Sequence, residues 1–427
     1  MPPRLPTDQA LYNAAVRILI SAGEASGEMY GAQLMQALRQ QPPSSKADDD
    51  VRPTHPIEFF GVGGEKMRAA GCDTVVDAKD LALVGITEIL SHLPKIWALF
   101  HRLIAEADRR RPDLAVVIDS PAFNWRVARQ MTKRGIPVVY YVCPQFWAWR
   151  QGRVRLLRKY VDKALVIFPF EEKFYRDRGV DAEFVGHPLA ELGRPAVSRD
   201  EYAAENGLVA SKQWITLMPG SRVKEVQMNL PEMLQSIALL GTDYEFVLPV
   251  AHTINSGLVQ GLVDSHPSKF AKGGTAVEEM ARRESRVHLV PDSLPALAHS
   301  RAAIVASGTA TVEAALMETP FVMVYRVTGI TYLMGRSTVK VPYFAMVNVI
   351  AGEQIVPELV QQDFTAERVF KELTKIIPEG AARQSMLNGL RRIRSLLHGD
   401  SRKANPIDQA AIAVLGAVRG PAAAQVR

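Results

Sequence analysis

The chain has 427 residues, which is too long for one ordinary domain and suits two domains of roughly 200 residues each. Hydrophobic residues make up 47% and charged residues 22%, the balance of a soluble globular protein. The net charge of +6 favours anionic partners, but the longest basic run is the "RRR" at 109–111, so a nucleic-acid-binding tail is not indicated.

The number and spacing of the cysteines, and the lack of long apolar runs, exclude several further classes of protein. Cys72 and Cys143 have no CxxC spacing, so neither a disulfide framework nor a structural zinc site is expected. The N-terminus lacks the apolar core of a signal peptide. No window reaches ~18 uninterrupted apolar residues, the length of a transmembrane helix. These features predict a cytoplasmic protein that can still lie against a membrane.

The first half of the chain alternates apolar strands with helices. After a tail of residues 1–15, "VRILISAG" predicts a strand, and a helix follows it through residue 40. A polar, proline-rich stretch over 41–56 predicts a surface loop. Further apolar runs predict strands at 57–64, 112–121, 136–144, 162–170 and 182–188. Such alternation is typical of a doubly wound parallel sheet, here a Rossmann-like domain over 16–190.

The pattern restarts after a linker near 188–200. Apolar runs predict strands at 214–222, 244–252, 286–292, 302–310 and 320–327, and so a second doubly wound domain over 200–375. A basic helical segment over 376–420 is a candidate to pack back on the first domain. We expect two α/β domains that face a cleft, with ligands beyond the carboxyl ends of the strands.

The stretch "LMPGSRVKEV" at 217–226 predicts a strand, a small-residue turn and a helix. The positive end of that helix attracts phosphate, Gly220 lets the backbone approach closely, and Arg222 can bond two oxygens. The spacing and lysine of a P-loop are absent. The alternative interpretation is a plain strand-to-helix turn.

The stretch "ASGTATVEAAL" at 306–316 repeats this arrangement. Ser307, Gly308 and Thr309 offer N–H and hydroxyl donors, and Glu313 follows about one helical turn later, where a carboxylate could accept two ribose hydroxyls. A capped helix with a surface glutamate is the alternative. Because both loops are predicted at the same end of one sheet, together they indicate a nucleoside diphosphate.

The loop "SAGEASGEMYGA" at 21–32 lacks GxGxxG, which disfavours a nicotinamide dinucleotide. Glu24 would also repel a pyrophosphate. The loop suits a hydroxyl-bearing acceptor, with Ser26 and Gly27 as candidate contacts.

The stretch "VVIDSPAFNWR" at 116–126 places Asp119 at the end of an apolar strand, where a carboxylate is costly unless it is functional or well paired. It could act as general base for an attacking hydroxyl. In the alternative interpretation Asp119 caps the next helix.

Aromatic and basic residues cluster in "VCPQFWAWRQGRVRLLRKY" at 143–160. Trp147, Trp149 and Arg150 are candidates to bind a sugar ring and an anionic group of the acceptor. A solvated helix face is the alternative for the basic residues, which are Arg150, Arg153, Arg155, Arg158 and Lys159.

Six stretches resemble the lipid-A-disaccharide synthase family in the same order along the chain: "AGEASGE", "IDSPAFN", "CPQFWAWR", "FVGHPLAE", "MPGSRVKEV" and "SGTATVEAAL". The resemblance spans roughly residues 16–375. It implies a glycosyltransferase-B architecture and an inverting transfer of 2,3-diacylglucosamine from UDP to the 6-hydroxyl of 2,3-diacylglucosamine 1-phosphate. Alternatives are another UDP-sugar-dependent enzyme of this fold, such as an epimerase, or an inactive nucleotide-binding homologue.

The resemblance also implies roles for individual residues. Those implied around UDP are Gly220, Ser221, Arg222, Glu225, Ser307, Gly308, Thr309, Glu313 and Asn348. Many members carry a second carboxylate where this chain has Ala122, so we favour Asp119 as base, with Asn124 and Glu24 beside it. Asp113 matches a family aspartate but could simply begin a strand.

No Asp-x-Asp motif follows a predicted strand, so we expect neither a metal nor another cofactor. The acylated substrates imply contact with the inner membrane. The apolar stretch 81–104, with basic residues interspersed, is the candidate surface, and core packing is its alternative. A peripheral protein is therefore expected, without nucleic acid as partner. A homodimer is a candidate assembly.

Overall fold

The computed structural model describes residues 15–40, 56–82, 89–251, 254–265, 287–329, 341–398 and 404–418. The chain divides into two units, Met1–Glu191 with Leu397–Arg427, and Leu192–Leu396. Each unit is built on one parallel sheet with helices between the strands. Most of the predicted proline-rich loop at 41–56 lies outside the described residues, as do 83–88 of the apolar stretch.

The N-terminal unit contains a parallel seven-stranded sheet in the order β3-β2-β1-β4-β5-β6-β7. Its strands are β1 Val16–Ala22, β2 Ile57–Gly63, β3 Cys72–Asp77, β4 Leu114–Ile118, β5 Val138–Tyr141, β6 Lys163–Val166 and β7 Ala182–Phe184. The chain order reverses between β1 and β4, which is where ligands of doubly wound sheets bind.

Its helices cover the two faces of this sheet. They are α1 Ala25–Gln40, α2 Glu65–Ala69, α3 Ala78–Ala82, α4 Ile89–Arg110, α5 Pro121–Thr132, α6 Val154–Tyr160 and α7 Pro169–Arg176, with 3-10 turns at Gln151–Arg153 and Pro188–Glu191. Every residue of β4 is buried, as expected for a central parallel strand that helices cover on both sides.

Four strands of this unit, β4 to β7, end three or four residues earlier than the sequence predicts. β4 ends at Ile118 because Asp119 and Ser120 both have positive φ, and β5 ends at Tyr141 because Val142 does too. β6 ends at Val166 because α7 begins at Pro169. Positive φ is rare outside glycine, most of all for a β-branched residue such as valine.

The second unit contains a parallel six-stranded sheet in the order β10-β9-β8-β11-β12-β13. Its strands are β8 Gln213–Met218, β9 Tyr244–Pro249, β10 Val287–Val290, β11 Ala302–Ala306, β12 Phe321–Tyr325 and β13 Glu358–Val360. Its helices are α8 Arg199–Asn206, α9 Val223–Ala238, α10 Ser256–Ser265, α11 Ser293–His299, α12 Ala310–Leu316, α13 Met346–Ala351, α14 Ala366–Ile376 and α15 Ala381–His398, with a 3-10 turn at Gln361–Asp363.

The chain then returns to the N-terminal unit. The last described helix, α16 Pro406–Gly416, packs against α1 and buries Ala410, Ala411 and Val414. The predicted C-terminal segment 376–420 is thus divided: α15 lies almost wholly in the second unit, and α16 belongs to the first.

Candidate active site

The carboxyl ends of β1 and β4 bring two of the sequence-predicted loops into contact. Ala22 pairs with Ile118 in the sheet, and Gly23 follows directly. A Cβ added to Gly23 would lie 2.7 Å from the Ser120 hydroxyl oxygen, so a larger residue here would require the Ser120 side chain to move. The exposed Glu24 and the Asp119 segment therefore lie on neighbouring loops at the switch point of the sheet.

The backbone around Asp119 is held on both sides in a left-handed conformation. Asp119 and Ser120 have φ of 47° and 45°. The Asp119 N–H donates to the Tyr141 carbonyl at 3.2 Å, and the Tyr140 hydroxyl donates to the Asp119 carbonyl at 2.7 Å. Ser120, not Asp119, occupies the N-cap position of α5 and makes no side-chain cap hydrogen bond, so capping by the Asp119 side chain stays the alternative interpretation. Such strain is concentrated at functional sites.

Asn124 is fully buried below this loop and fastens β1 to β4. Its Oδ1 accepts from the Ser21 hydroxyl at 2.7 Å. Its Nδ2 lies within hydrogen-bonding distance of three backbone carbonyls, those of Ser21, Ile118 and Asp119. With both amide atoms engaged, Asn124 is suited to positioning Asp119 rather than to touching substrate.

Asp113 lies at the opposite, amino end of β4. Its Oδ2 accepts the Arg17 backbone N–H at 2.8 Å, a contact that begins the pairing of β4 with β1. Asp113 therefore has a structural contact at the start of β4, in agreement with the interpretation that it begins a strand.

The two tryptophans of the 143–150 segment have different environments. Trp147 is buried, its Nε1 donates to Glu171 Oε1 at 2.8 Å, and its ring meets Phe170 edge-on. Trp149 is 45% exposed, with the Arg150 guanidinium stacked 4.5 Å from its ring centre. Trp149 and Arg150 are thus accessible to an acceptor, whereas Trp147 anchors the segment.

Ser26 and Gly27 begin α1 beside the same edge. Ser26 is half-buried and Gly27 is buried. A Cβ on Gly27 would contact the Ile118 carbonyl at 3.6 Å. Gly27 therefore packs α1 against β4, which leaves Ser26 as the more accessible candidate contact.

Glu171 was not predicted from the sequence, yet it organises this segment. Its Oε2 accepts the N–H groups of Ile167 and Phe168 at the start of α7, while Oε1 holds Trp147. Tyr175 of the same helix donates to the Pro144 carbonyl. The available signal was a glutamate at the third position of a helix that begins at Pro169. Its partner Trp147 lies 24 residues away in the sequence.

Burial raises the pKa of the Glu171 carboxyl from 4.5 to about 7, despite the N–H groups that donate to it. The folded state therefore binds this proton more tightly than the unfolded state. The resulting stability is fully present below pH 4.5 and is lost as the pH rises through about 7, a change of about 3 kcal/mol in the free energy of unfolding.

We expect Glu171→Gln to remove this pH dependence. Between pH 4.5 and pH 8, the free energy of unfolding of the variant should rise by about 3 kcal/mol relative to that of the wild type. Urea unfolding of both proteins at each pH measures this difference. Glu172→Gln, which alters a partly exposed pair with Arg176 in the same helix, is the control. A constant difference between wild type and Glu171→Gln at all pH values would contradict the prediction.

His187 of the "GHP" motif is buried, and burial lowers its pKa to about 3. The ring is therefore neutral near pH 7. Its Nδ1 accepts the Leu189 N–H at 3.1 Å, and its ring lies edge-on to Tyr30. This histidine supports the turn after β7 rather than supplying a charge.

In the second unit, β8 and β11 are neighbours, with Met218 paired to Val305. The loops that follow them leave the same edge of the sheet, which confirms the predicted arrangement. After β8, Gly220 has φ of 124° and Arg222 is the N-cap of α9. Ser221 and Arg222 are exposed, and Glu225 lies one turn into the helix.

The loop after β11 exposes Gly308 and Thr309, so their backbone groups are accessible. Ser307 is partly buried, and its hydroxyl donates to the Phe344 carbonyl at 2.8 Å. Glu313 accepts a hydrogen bond from the Ser293 hydroxyl at 3.0 Å, and burial raises the pKa of its carboxyl. Sequence patterns gave no sign of Ser293, which lies in α11, 20 residues earlier.

Asn348 is fully buried and holds the strand that follows it. Its Oδ1 accepts from Ile355 and Val356, and its Nδ2 donates to the Val356 carbonyl and to Glu358. The Glu358 carboxylate in turn accepts the N–H groups of Phe344 and Ala345. Like Asn124, Asn348 is suited to supporting a loop rather than contacting the nucleotide.

Two further findings concern the described residues alone. No cluster of three or more histidine, cysteine, aspartate or glutamate side chains there could hold a metal ion. None of the helices described is long and apolar enough to cross a bilayer.

Residues 18–411 match a family model described as Lipid-A-disaccharide synthetase. A relative named lipid-A-disaccharide synthase, from Koribacter versatilis (strain Ellin345), is 49% identical over 400 residues. The aligned region covers 94% of this chain and 98% of the relative.

Two solved structures show the likeness of fold. A putative UDP-N-acetylglucosamine 2-epimerase from Listeria monocytogenes has a TM-score of 0.58 at 13% identity and covers 97% of this chain and 98% of its own. The glycotransferase of kitacinnamycin has a TM-score of 0.59 at 15% identity, covering 95% and 100%. Together with the two parallel sheets, they confirm a glycosyltransferase-B fold of two Rossmann-like units.

Proposed function

Since the chain belongs to the lipid-A-disaccharide synthase family, we propose that it transfers 2,3-diacylglucosamine from UDP to the 6-hydroxyl of 2,3-diacylglucosamine 1-phosphate, with inversion. The products are the lipid A disaccharide 1-phosphate and UDP. The observation that carries this proposal is the family match over residues 18–411, which includes the strand-end loops of both units. The enzyme is accordingly a hexosyltransferase.

The second unit is assigned to the donor. The exposed turn at Gly220, Ser221 and Arg222 offers N–H groups, a helix N-terminus and a guanidinium to the diphosphate. Gly308 and Thr309 lie at the same edge of the sheet. Glu313, oriented by the Ser293 hydroxyl, is assigned to the ribose hydroxyls.

The N-terminal unit is assigned to the acceptor and the base. Asp119 removes the proton of the 6-hydroxyl as its oxygen attacks the sugar carbon from the face opposite UDP. Glu24 assists from the neighbouring loop, and Trp149 with Arg150 contacts the acceptor. Arg222 and helix-end N–H groups stabilise the negative charge on departing UDP, so the transfer is proposed to need no metal.

The deciding experiment measures UDP release from UDP-2,3-diacylglucosamine with and without the lipid acceptor. We expect release that depends on the acceptor, equals the disaccharide formed and persists in EDTA. Release without acceptor, or an epimerised sugar, would indicate another enzyme of this fold. UDP binding without turnover would indicate an inactive homologue.

The acyl chains of the substrates also suggest peripheral contact with the inner membrane. In α4, Trp97 is 59% exposed, and its ring centre lies 4.8 Å from that of His101. Tryptophan is the kind of amphipathic residue that favours membrane interfaces. The cations of the segment 150–159 are exposed, which suits contact with anionic lipids. They are Arg150, Arg153, Arg155, Arg158 and Lys159.

Three further apolar residues of α4 do not support the expectation of one continuous membrane surface over 81–104. Ile96, Leu99 and Phe100 pack against the core of the N-terminal unit. Core packing is therefore the correct interpretation for that side of α4. Charged substitutions at Ile96 or Leu99 would disturb folding, which makes Trp97 the better probe.

We expect Trp97→Glu to weaken binding to vesicles that contain anionic lipid by about tenfold, equivalent to about 1.4 kcal/mol. Co-sedimentation measures the bound fraction. Ile412→Glu is the matched control, because Ile412 is an exposed apolar residue of α16 in the same unit. Equal binding by wild type and a folded Trp97→Glu variant would exclude this surface.

A further inference from the structure

The turn assigned to the donor's diphosphate already holds an anion, the carboxylate of Glu225. Glu225 Oε2 accepts the N–H of Ser221 at 3.1 Å and that of Arg222 at 3.3 Å. Its other oxygen accepts from Arg222 Nη1 at 3.0 Å. These are the donor groups that a phosphate would use at the start of a helix.

The side chain of Glu225 also fills the space beside Gly220. A Cβ on Gly220 would lie 2.6 Å from both the Cβ and Oε2 of Glu225. The space over Gly220, which suggested close approach of a phosphate, is thus filled by Glu225. The glutamate folds back over the turn and takes the place of an external anion.

The contacts that hold Glu225 here are weak enough to be exchanged. Arg222 is 74% exposed in its side chain and Glu225 is 35% exposed, and ion pairs so open to solvent contribute little to stability. Both partners belong to the first turn of one helix, Arg222 at the N-cap and Glu225 three residues later. A diphosphate, with more charge than a carboxylate, can therefore displace Glu225.

We propose that Glu225 is an internal competitor of the donor's diphosphate: it satisfies the turn when the site is empty and returns to it when UDP leaves. The inference rests on the proposed function, because it concerns the same nucleotide. It differs from a direct contact in the sign of its effect. A residue that binds substrate weakens binding when it is removed, whereas a competitor strengthens it.

The experiment measures equilibrium binding of UDP, uridine and inorganic pyrophosphate to the full-length wild type and to Glu225→Gln. Glutamine also suits the third position of the helix, so the fold is retained, as thermal unfolding verifies. We expect UDP and pyrophosphate to bind the variant about threefold to tenfold more tightly. Uridine, which has no phosphate, should bind both proteins equally.

Glu372→Gln is the matched control, since Glu372 forms an i,i+3 ion pair with Lys375 on α14 of the same unit. It should leave all three affinities unchanged. Weaker or equal binding of UDP by Glu225→Gln would overturn the inference while leaving the proposed function intact. A wild type that binds no UDP would instead overturn the proposed function.

Discussion

Replacement of Asp119 by asparagine should lower kcat for disaccharide formation by about 10²- to 10⁴-fold, the range that a general base contributes. Asparagine keeps the size of the side chain and tolerates a positive φ, so the loop should retain its conformation. UDP binding should be unchanged, because the donor is assigned to the other unit. Steady-state kinetics and nucleotide titration measure the two quantities separately.

Two further variants separate the chemistry of Asp119 from its strained backbone. Asp119→Ala should lose activity and also about 1 kcal/mol of stability, since alanine disfavours the left-handed region. Asp113→Asn, at the amino end of the same strand, should keep its activity. If Asp119→Asn retained the wild-type kcat, the base would have to be sought elsewhere, with Glu24 the next candidate.

Of the substitutions proposed here, Asn124→Ala should lower the free energy of unfolding most, by about 3 kcal/mol or more, because several buried groups lose their partner at once. The Ser21 hydroxyl and the carbonyls of Ile118 and Asp119 would be left without this amide in a site closed to water. The midpoint of urea unfolding measures the change. Because the same amide positions the Asp119 loop, kcat should fall as well.

Asn388→Ala is the comparison for this substitution. Asn388 is exposed on α15, where its side chain meets Gln384 and Arg391, and surface replacements of this kind usually change stability by less than about 0.5 kcal/mol. A similar loss in both variants would show that Asn124 does not fasten the two strands.

The fold could be predicted from the sequence because apolar runs and their alternation with helices are visible within short stretches of the chain. Apolar runs such as Leu114–Ile118 are buried on both faces, and their alternation with helices requires parallel sheets. The ends of the strands were less predictable. The positive φ of Val142 runs against the preference of valine, so it is imposed by contacts such as the bond from its N–H to Leu165.

The site was predictable only to the level of its loops. Asn124 and Asn348 occur in motifs beside candidate ligand residues, yet both are buried and hold backbone segments together. Both lie near the start of a helix, Asn124 in α5 and Asn348 in α13, where residue type alone cannot tell a ligand contact from a buried support. The same limit applies to Trp147, whose neighbour in the motif, Trp149, is exposed while Trp147 is not.

The position of α16 affects the order in which the molecule can fold during synthesis. The N-terminal unit leaves the ribosome first but lacks the helix that covers α1 until the last residues have been made. The second unit, continuous from Leu192 to Leu396, can complete its contacts earlier, because domains fold as units once their chain has emerged. We therefore expect the unit that begins the chain to finish folding last, and chains truncated before residue 406 to depend on chaperones.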